Sequence, residues 1–131
     1  MIVVTGAGGR LGRLVADRLV RAGKDVVGTD RVPADSPDFK FVLGDLSDSE
    51  MVSDLVRGAD AVVHMGAIPG PRSRGQIETF ENNVSSTFNV MMAAAEHGVR
   101  RIVFSSSAFG MGWAHDPSAF VPLYLPLDED H

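Results

Sequence analysis

The chain has 131 residues, 44% apolar and 22% charged, which suits one compact globular domain and excludes a disordered chain or two ordinary domains. A formal charge of -5, with twelve Lys and Arg scattered along the chain, excludes a broad phosphate-binding surface, so neither nucleic acid nor an acidic membrane is an expected partner. No cysteine is present for disulfide or thiolate chemistry, and no apolar run resembles a secretion signal or a membrane span, so a cytoplasmic protein is the expectation.

The apolar run IVV at residues 2–4 predicts a buried first strand. LGRLVADRLVRAG then predicts a helix that turns Leu11, Leu14, Val15, Leu19 and Ala22 to one face and exits at Gly23. DVVGTD predicts a second strand ending at Asp30, the stretch holding Pro33 and Pro37 a loop, and FKFVLGD a third strand. SDSEMVSDLVRG predicts a short helix capped by Ser47 or Asp48 and stopped at Gly58. ADAVVHMGA predicts a fourth strand, PGPRSRG a loop, and residues 76 to 97 a long helix. On that helix Ile77, Phe80, Val84, Phe88, Met91, Met92 and Ala95 recur at helical spacing, which predicts a core face or a subunit contact. RRIVFSSSA predicts a fifth strand, and beyond Gly112 the chain becomes irregular and carries prolines. Unbroken apolar strands alternating with helices predict an α/β fold: a Rossmann-like, doubly wound parallel sheet, expected to be truncated after the fifth strand.

A dinucleotide pyrophosphate carries two negative charges and needs backbone N–H groups at close range. A strand-to-helix turn supplies them through the unpaired donors and the dipole of the helix start. In TGAGGRLG, residues 5–12, a side chain at Gly6 would obstruct the turn out of the strand. One at Gly9 would hold the phosphates away, and one at Gly12 would part the helix from the sheet. Gly8, Arg10 and Leu11 complete the expected cradle. The spacing is GxxGxxG instead of GxGxxG, but a strand precedes it, a helix follows, and Asp30 ends the next strand eighteen positions beyond Gly12. A carboxylate there accepts from adenosine ribose hydroxyls and repels a 2'-phosphate, which favours NAD over NADP. Arg31 keeps NADP open, because a guanidinium can swing onto that phosphate; its other assignment is a solvated loop charge. Residues 1–112 are the expected dinucleotide-binding portion, and 113–131 a loop and tail.

Taken in order, TGAGGRLG, GDL at residues 44–46, HMGA at 64–67, NNVSST at 82–87 and FSSSA at 104–108 resemble the extended short-chain dehydrogenase/reductases, the NAD-dependent epimerase/dehydratase group acting on sugars and nucleotide sugars. The resemblance spans essentially the whole chain and implies roles by position. Asp45 and Leu46 would flank the adenine ring, Asp45 also serving the turn before the short helix. Met65, Gly66 and Ala67 would pass beneath the cofactor, with Gly66 standing where the family more often has alanine. Asn83 would brace the neighbouring strand first and adjoin the cofactor second. Ser107 matches the catalytic Ser/Thr that hydrogen-bonds the reacting substrate oxygen, with Ser105 and Ser106 toward the strand end and the nicotinamide. His64 is expected as a packed strand-end histidine and not as a base or a ligand.

The resemblance also implies a Tyr-x-x-x-Lys pair whose ammonium lowers the tyrosine pKa for proton exchange with substrate. Here the single tyrosine, Tyr124, is followed four positions on by Asp128 and flanked by Pro122 and Pro126, and the only lysines are Lys24 and Lys40. Tyr124 is therefore not the expected base, and LPLDEDH resembles the segment that precedes the family's tyrosine helix. The acidic end is expected to be a solvated tail and not a metal site, and Arg72 and Arg74 are expected to be exposed loop charges. Without a neighbour, the fifth strand and the long helix would expose apolar surface. The expectation is thus the cofactor-binding part of a parent near twice this length, or a homo-oligomer. The expected function is the NAD-binding portion of a sugar or nucleotide-sugar oxidoreductase, epimerase or dehydratase, inactive alone. The alternative is a non-catalytic NAD(P)(H)-binding or sensing module.

Overall fold

The computed structural model describes residues 1–70, 74–107, 124–126 and 128. The elements follow one another as β1 (Ile2–Thr5), α1 (Arg10–Arg21), β2 (Val26–Asp30), β3 (Lys40–Leu43), α2 (Ser49–Val56), β4 (Ala61–His64), α3 (Gln76–Glu96) and β5 (Arg101–Phe104). The strands are rich in valine and isoleucine, whose branched Cβ restricts rotamers in a helix and packs well on a pleated surface. All the pairings are parallel, in the order β3-β2-β1-β4-β5.

Successive side chains of a strand face opposite ways, and β1 shows what that does here. Val3 enters the core that α2 and α3 close, with Val27, Val52, Val56, Val62 and Val90. Val4 enters the core beneath α1, with Ala7, Ala16, Val26 and Phe39. The chain leaves β3 at one side of β1 and returns as β4 on the other. A crevice opens at such a reversal, outside the carboxyl ends of the strands.

Two helix faces differ from the sequence expectation. In α1 the buried residues are Gly12 and Ala16, whereas Leu11 and Leu14 are exposed and Ala22 is an exposed C-cap. Only Val15 and Leu19 of the expected face pack on the core, joined by Val20. Small residues four apart let the helix axis approach the sheet closely, so the larger side chains spread to its flanks. In α3 the buried residues are Ser86, Val90, Ala93 and Ala94. The aromatic and methionine stripe faces outward, with Ile77 75%, Phe80 68% and Phe88 61% exposed, so it is not core. Among the described residues β5 pairs only with β4, and its Val103 and Phe104 are exposed. No described helix is long and apolar enough to cross a membrane. Most of the expected tail, Arg72, and Glu129, Asp130 and His131 lie outside the described residues.

Candidate functional site

A cleft of about 890 Å³ lies at the carboxyl ends of β1, β2, β4 and β5, within the size range of cofactor pockets. Its first wall is the turn from β1 into α1. Gly6 has φ +70°, and a Cβ there would stand 2.8 Å from the Gly66 nitrogen. A Cβ on Gly12 would overlap the Gly6 carbonyl, so the helix can sit this close only without one. Gly9 caps α1 with no side-chain hydrogen bond, and no acidic residue stands in the first turn. The helix start therefore faces the cleft with its N–H groups and positive dipole end uncovered by any side-chain cap.

Gly6, Gly9, Arg10, Leu11 and Gly12 line the cleft; Gly8 does not. Its N–H instead donates to Asp30 Oδ2 at 3.1 Å, and a Cβ would overlap the Val32 carbonyl. Gly8 thus ties the loop to the end of β2. Asp30 also accepts from the Val32 N–H through Oδ1 at 3.1 Å, and the carboxylate keeps lone pairs directed to the cleft it lines.

The far end of the cleft holds Arg31, Asp45 and Leu46. Asp45 Oδ1 accepts from the Ser47 N–H at 2.9 Å, and Oδ2 lies 3.5 Å from Arg31 Nη1. The Ser47 N–H first, with the Arg31 charge behind it, holds the Asp45 carboxyl below its usual range. Arg31 is accordingly a solvent-exposed loop charge at the cleft mouth that lies beside Asp45.

The floor is Met65, Gly66 and Ala67, the exit from β4. Thr5 Oγ1, buried at the end of β1, accepts from the Met65 N–H at 3.1 Å and the Gly66 N–H at 3.0 Å. The Thr5 hydroxyl also lies 2.8 Å from His64 Nδ1. His64 is buried, stacks on Phe104 with ring centroids 5.6 Å apart, and has its Nε2 3.3 Å from Thr87 Oγ1. It is the packed strand-end histidine expected from the sequence, and burial pushes its imidazole below the ordinary range.

Two asparagines of α3 clamp the loops that leave the strands. Asn83 accepts from the Ile68 N–H at 2.8 Å and donates to the Ile68 carbonyl at 3.0 Å, bracing the segment after β4. Asn89 donates to the carbonyls of Leu46 at 2.9 Å and Ser47 at 3.1 Å, fixing the segment after β3. Sequence reasoning named Asn83 but missed Asn89 and Thr5. Ser105, Ser106 and Ser107 follow β5 on the cleft wall, and the Ser105 N–H donates to the His64 carbonyl at 3.1 Å.

Tyr124 lies elsewhere: its hydroxyl donates to the Asp128 carboxylate, and that bond pushes the phenol above its ordinary range. This is the opposite of what a catalytic tyrosine needs. Arg74 pairs with Glu78 at 3.2 Å. Among the described residues no group of three or more His, Asp or Glu converges on a metal site.

The side-chain-free turn, the open helix start and the carboxylate beside them form a cradle suited to a phosphate-bearing nucleotide. The sequence profile of the NAD dependent epimerase/dehydratase family matches residues 2–127, and the chain belongs to that family. It is similar to the uronate dehydrogenase of Pseudomonas putida, 33% identical over 115 residues, which cover 86% of this chain and 42% of that protein. It is also similar to the UDP-glucose 4-epimerase of Lactobacillus helveticus, 32% identical over 138 residues, covering 98% of this chain and 39% of the relative. A solved short-chain dehydrogenase/reductase superfamily protein from Agrobacterium tumefaciens, with bound NAD, shares 37% identity at a TM-score of 0.79 and covers 100% of this chain and 38% of that one. The chain thus spans about two fifths of the length of these relatives.

Proposed function

We propose that the cleft binds NAD and that these residues are the cofactor-holding portion of an enzyme that oxidises, epimerises or dehydrates a sugar or nucleotide sugar. The observation that carries this is the turn at Gly6 and Gly12, closed to any side chain, at an uncapped helix start with Asp30 beside it. In this reading Gly6, Gly9, Arg10, Leu11 and Gly12 hold the pyrophosphate, and Gly8 fixes the loop through Asp30. Asp30 also accepts from the adenosine ribose hydroxyls, and its charge disfavours a 2'-phosphate. Asp45 and Leu46 flank the adenine; Met65, Gly66 and Ala67 form the floor; Asn83 braces that segment and adjoins the cofactor; Ser105 and Ser106 stand toward the strand end and the nicotinamide.

When bound, NAD would supply the hydride-accepting carbon. The chain's own part is to orient the cofactor and, through the Ser107 hydroxyl, to hydrogen-bond the substrate oxygen. In this reading the proton acceptor is not Tyr124, whose hydroxyl already donates to a carboxylate. The uronate dehydrogenase and UDP-glucose 4-epimerase relatives support a sugar or nucleotide-sugar substrate. The second reading is a binding or sensing module without turnover, in which Asp30 and the glycines matter and Ser107 does not.

The test is NADH fluorescence titration of the chain and of two variants. Gly9→Val should remain folded, since a Cβ there meets only the Gly6 carbonyl oxygen, at 3.3 Å, yet should lose binding. Asp30→Ala should weaken it. A folded Gly9→Val protein that binds NADH as the parent does would overturn the assignment. Turnover of a sugar by the full-length protein, lost in Ser107→Ala with NADH affinity kept, separates the enzyme from the sensing module.

A further inference from the structure

We infer that His64, acting through the Thr5 hydroxyl, is a positioning residue for the floor of the cleft, and that it holds the floor only while its imidazole is neutral. The inference rests on the proposed NAD site for its consequence in binding, but its geometry stands on the protein alone. Parallel register sets Thr5 of β1 opposite His64 of β4, and His64 opposite Phe104 of β5, so the three lie in one row across the sheet.

A hydroxyl has one proton and two lone pairs. Both lone pairs of Thr5 Oγ1 are taken by backbone donors, the N–H groups of Met65 and Gly66. Its proton must therefore go outward, and the acceptor at 2.8 Å is His64 Nδ1. Nδ1 is then the bare nitrogen and Nε2 carries the hydrogen, which it donates to Thr87 Oγ1. Every group in the chain from α3 through β4 to β1 is satisfied in one tautomer and in no other.

Protonating the ring breaks this arrangement. Nδ1–H becomes a third donor aimed at a hydroxyl with two lone pairs, and the Thr5 proton loses its acceptor. Thr5 must release Met65, Gly66 or the ring. The Gly6 turn rests on that same segment, where a Cβ on Gly6 would already be 2.8 Å from the Met65 carbonyl carbon and the Gly66 nitrogen. Loosening the floor therefore loosens the glycine turn above it. Among the described residues the groups on the ring are Thr5 from β1, Thr87 from α3 and Phe104 from β5, none of them charged. Burial alone lowers the pKa, so the brace holds through neutral pH and fails on the acid side.

The experiment combines imidazole nitrogen NMR of the free protein with NADH titrations from about pH 8 to about pH 5. At neutral pH the His64 Nδ1 resonance should be that of an unprotonated nitrogen; an Nδ1–H tautomer overturns the inference. NADH affinity should fall about five- to tenfold as His64 is protonated, the worth of about one hydrogen bond. His64→Asn, whose Oδ1 can take the Thr5 proton without ever becoming charged, should flatten that profile. Thr5→Val should weaken NADH at every pH and speed amide exchange at Met65 and Gly66. Should either variant fail to fold, the protection of the Met65 and Gly66 amides in the parent protein, taken relative to the intrinsic exchange rate at each pH, decides: it must fall as His64 is protonated, and unchanged protection overturns the inference. Absence of NADH binding at all pH values with the expected tautomer and exchange would remove the NAD site and leave the brace standing. Binding that does not weaken once His64 is seen by NMR to be protonated, or that weakens equally in His64→Asn, would remove the brace and leave the site.

Discussion

Helices α1 and α2 each begin just after the carboxyl end of a parallel strand, yet their first turns are built in opposite ways. At α2 the Asp48 side chain accepts from the N–H groups of Glu50 and Met51, both at 3.1 Å, and Glu50 adds a negative charge to the first turn. At α1 a glycine holds the cap position, with no side-chain bond and no acid in the first turn. A capped start gains stability; an open one gives that up and keeps its donors and dipole for an anion from outside. Only the open start faces the large cleft.

The strongest challenge to this contrast is Gly12→Ala. The added methyl group overlaps the Gly6 carbonyl, so α1 must shift, at an expected cost of about 3 kcal/mol or more with loss of NADH binding. Urea unfolding with parallel NADH titration measures both. Next is Gly9→Val, which should change stability by less than about 1 kcal/mol while weakening NADH by about 100-fold or more, the loss of several charge-assisted hydrogen bonds. Asp48→Ala is its mirror image: about 1 kcal/mol less stable by the same unfolding assay, with NADH affinity unchanged. If Asp48→Ala reduced binding as Gly9→Val does, the division of labour between the two starts would be wrong.

The smallest effect is acid dependence at Asp45, just ahead of α2. Its folded pKa lies below the unfolded value near 3.8, mainly through the Ser47 N–H. The stability it adds is therefore complete above that pH and lost as pH falls through the lower folded value. Its carboxylate is partly exposed, so the contribution is small. Acid unfolding followed by circular dichroism should show a shallower decline in Asp45→Asn.

Much of this was legible in the sequence. Strands and helices stand where alternation of apolar runs and helical spacing put them, Asp48 proved to be the cap, and Gly6, Gly12 and Asp30 meet in one cleft. The helix faces were less legible. Periodicity says which side chains share a side of a helix, not which side the sheet selects. In α1 the sheet selects Gly12 and Ala16, and in α3 it selects Ser86, Val90, Ala93 and Ala94, because small side chains allow close approach. Phe80 and Phe88 then face outward despite their hydrophobicity.

The sequence by itself determined the local features: the order of elements, a turn that requires glycine, and the contrast between the glycine start of α1 and the aspartate cap of α2. Each depends on residues a few positions apart, where steric limits and hydrogen-bonding capacity act directly. Only the tertiary structure decided that β1 lies between β2 and β4, and hence that Thr5 meets His64, 59 positions away, and holds the two amides that follow it. Pairing at that distance is set by how the whole sheet buries its two faces, and no short stretch of chain contains that information.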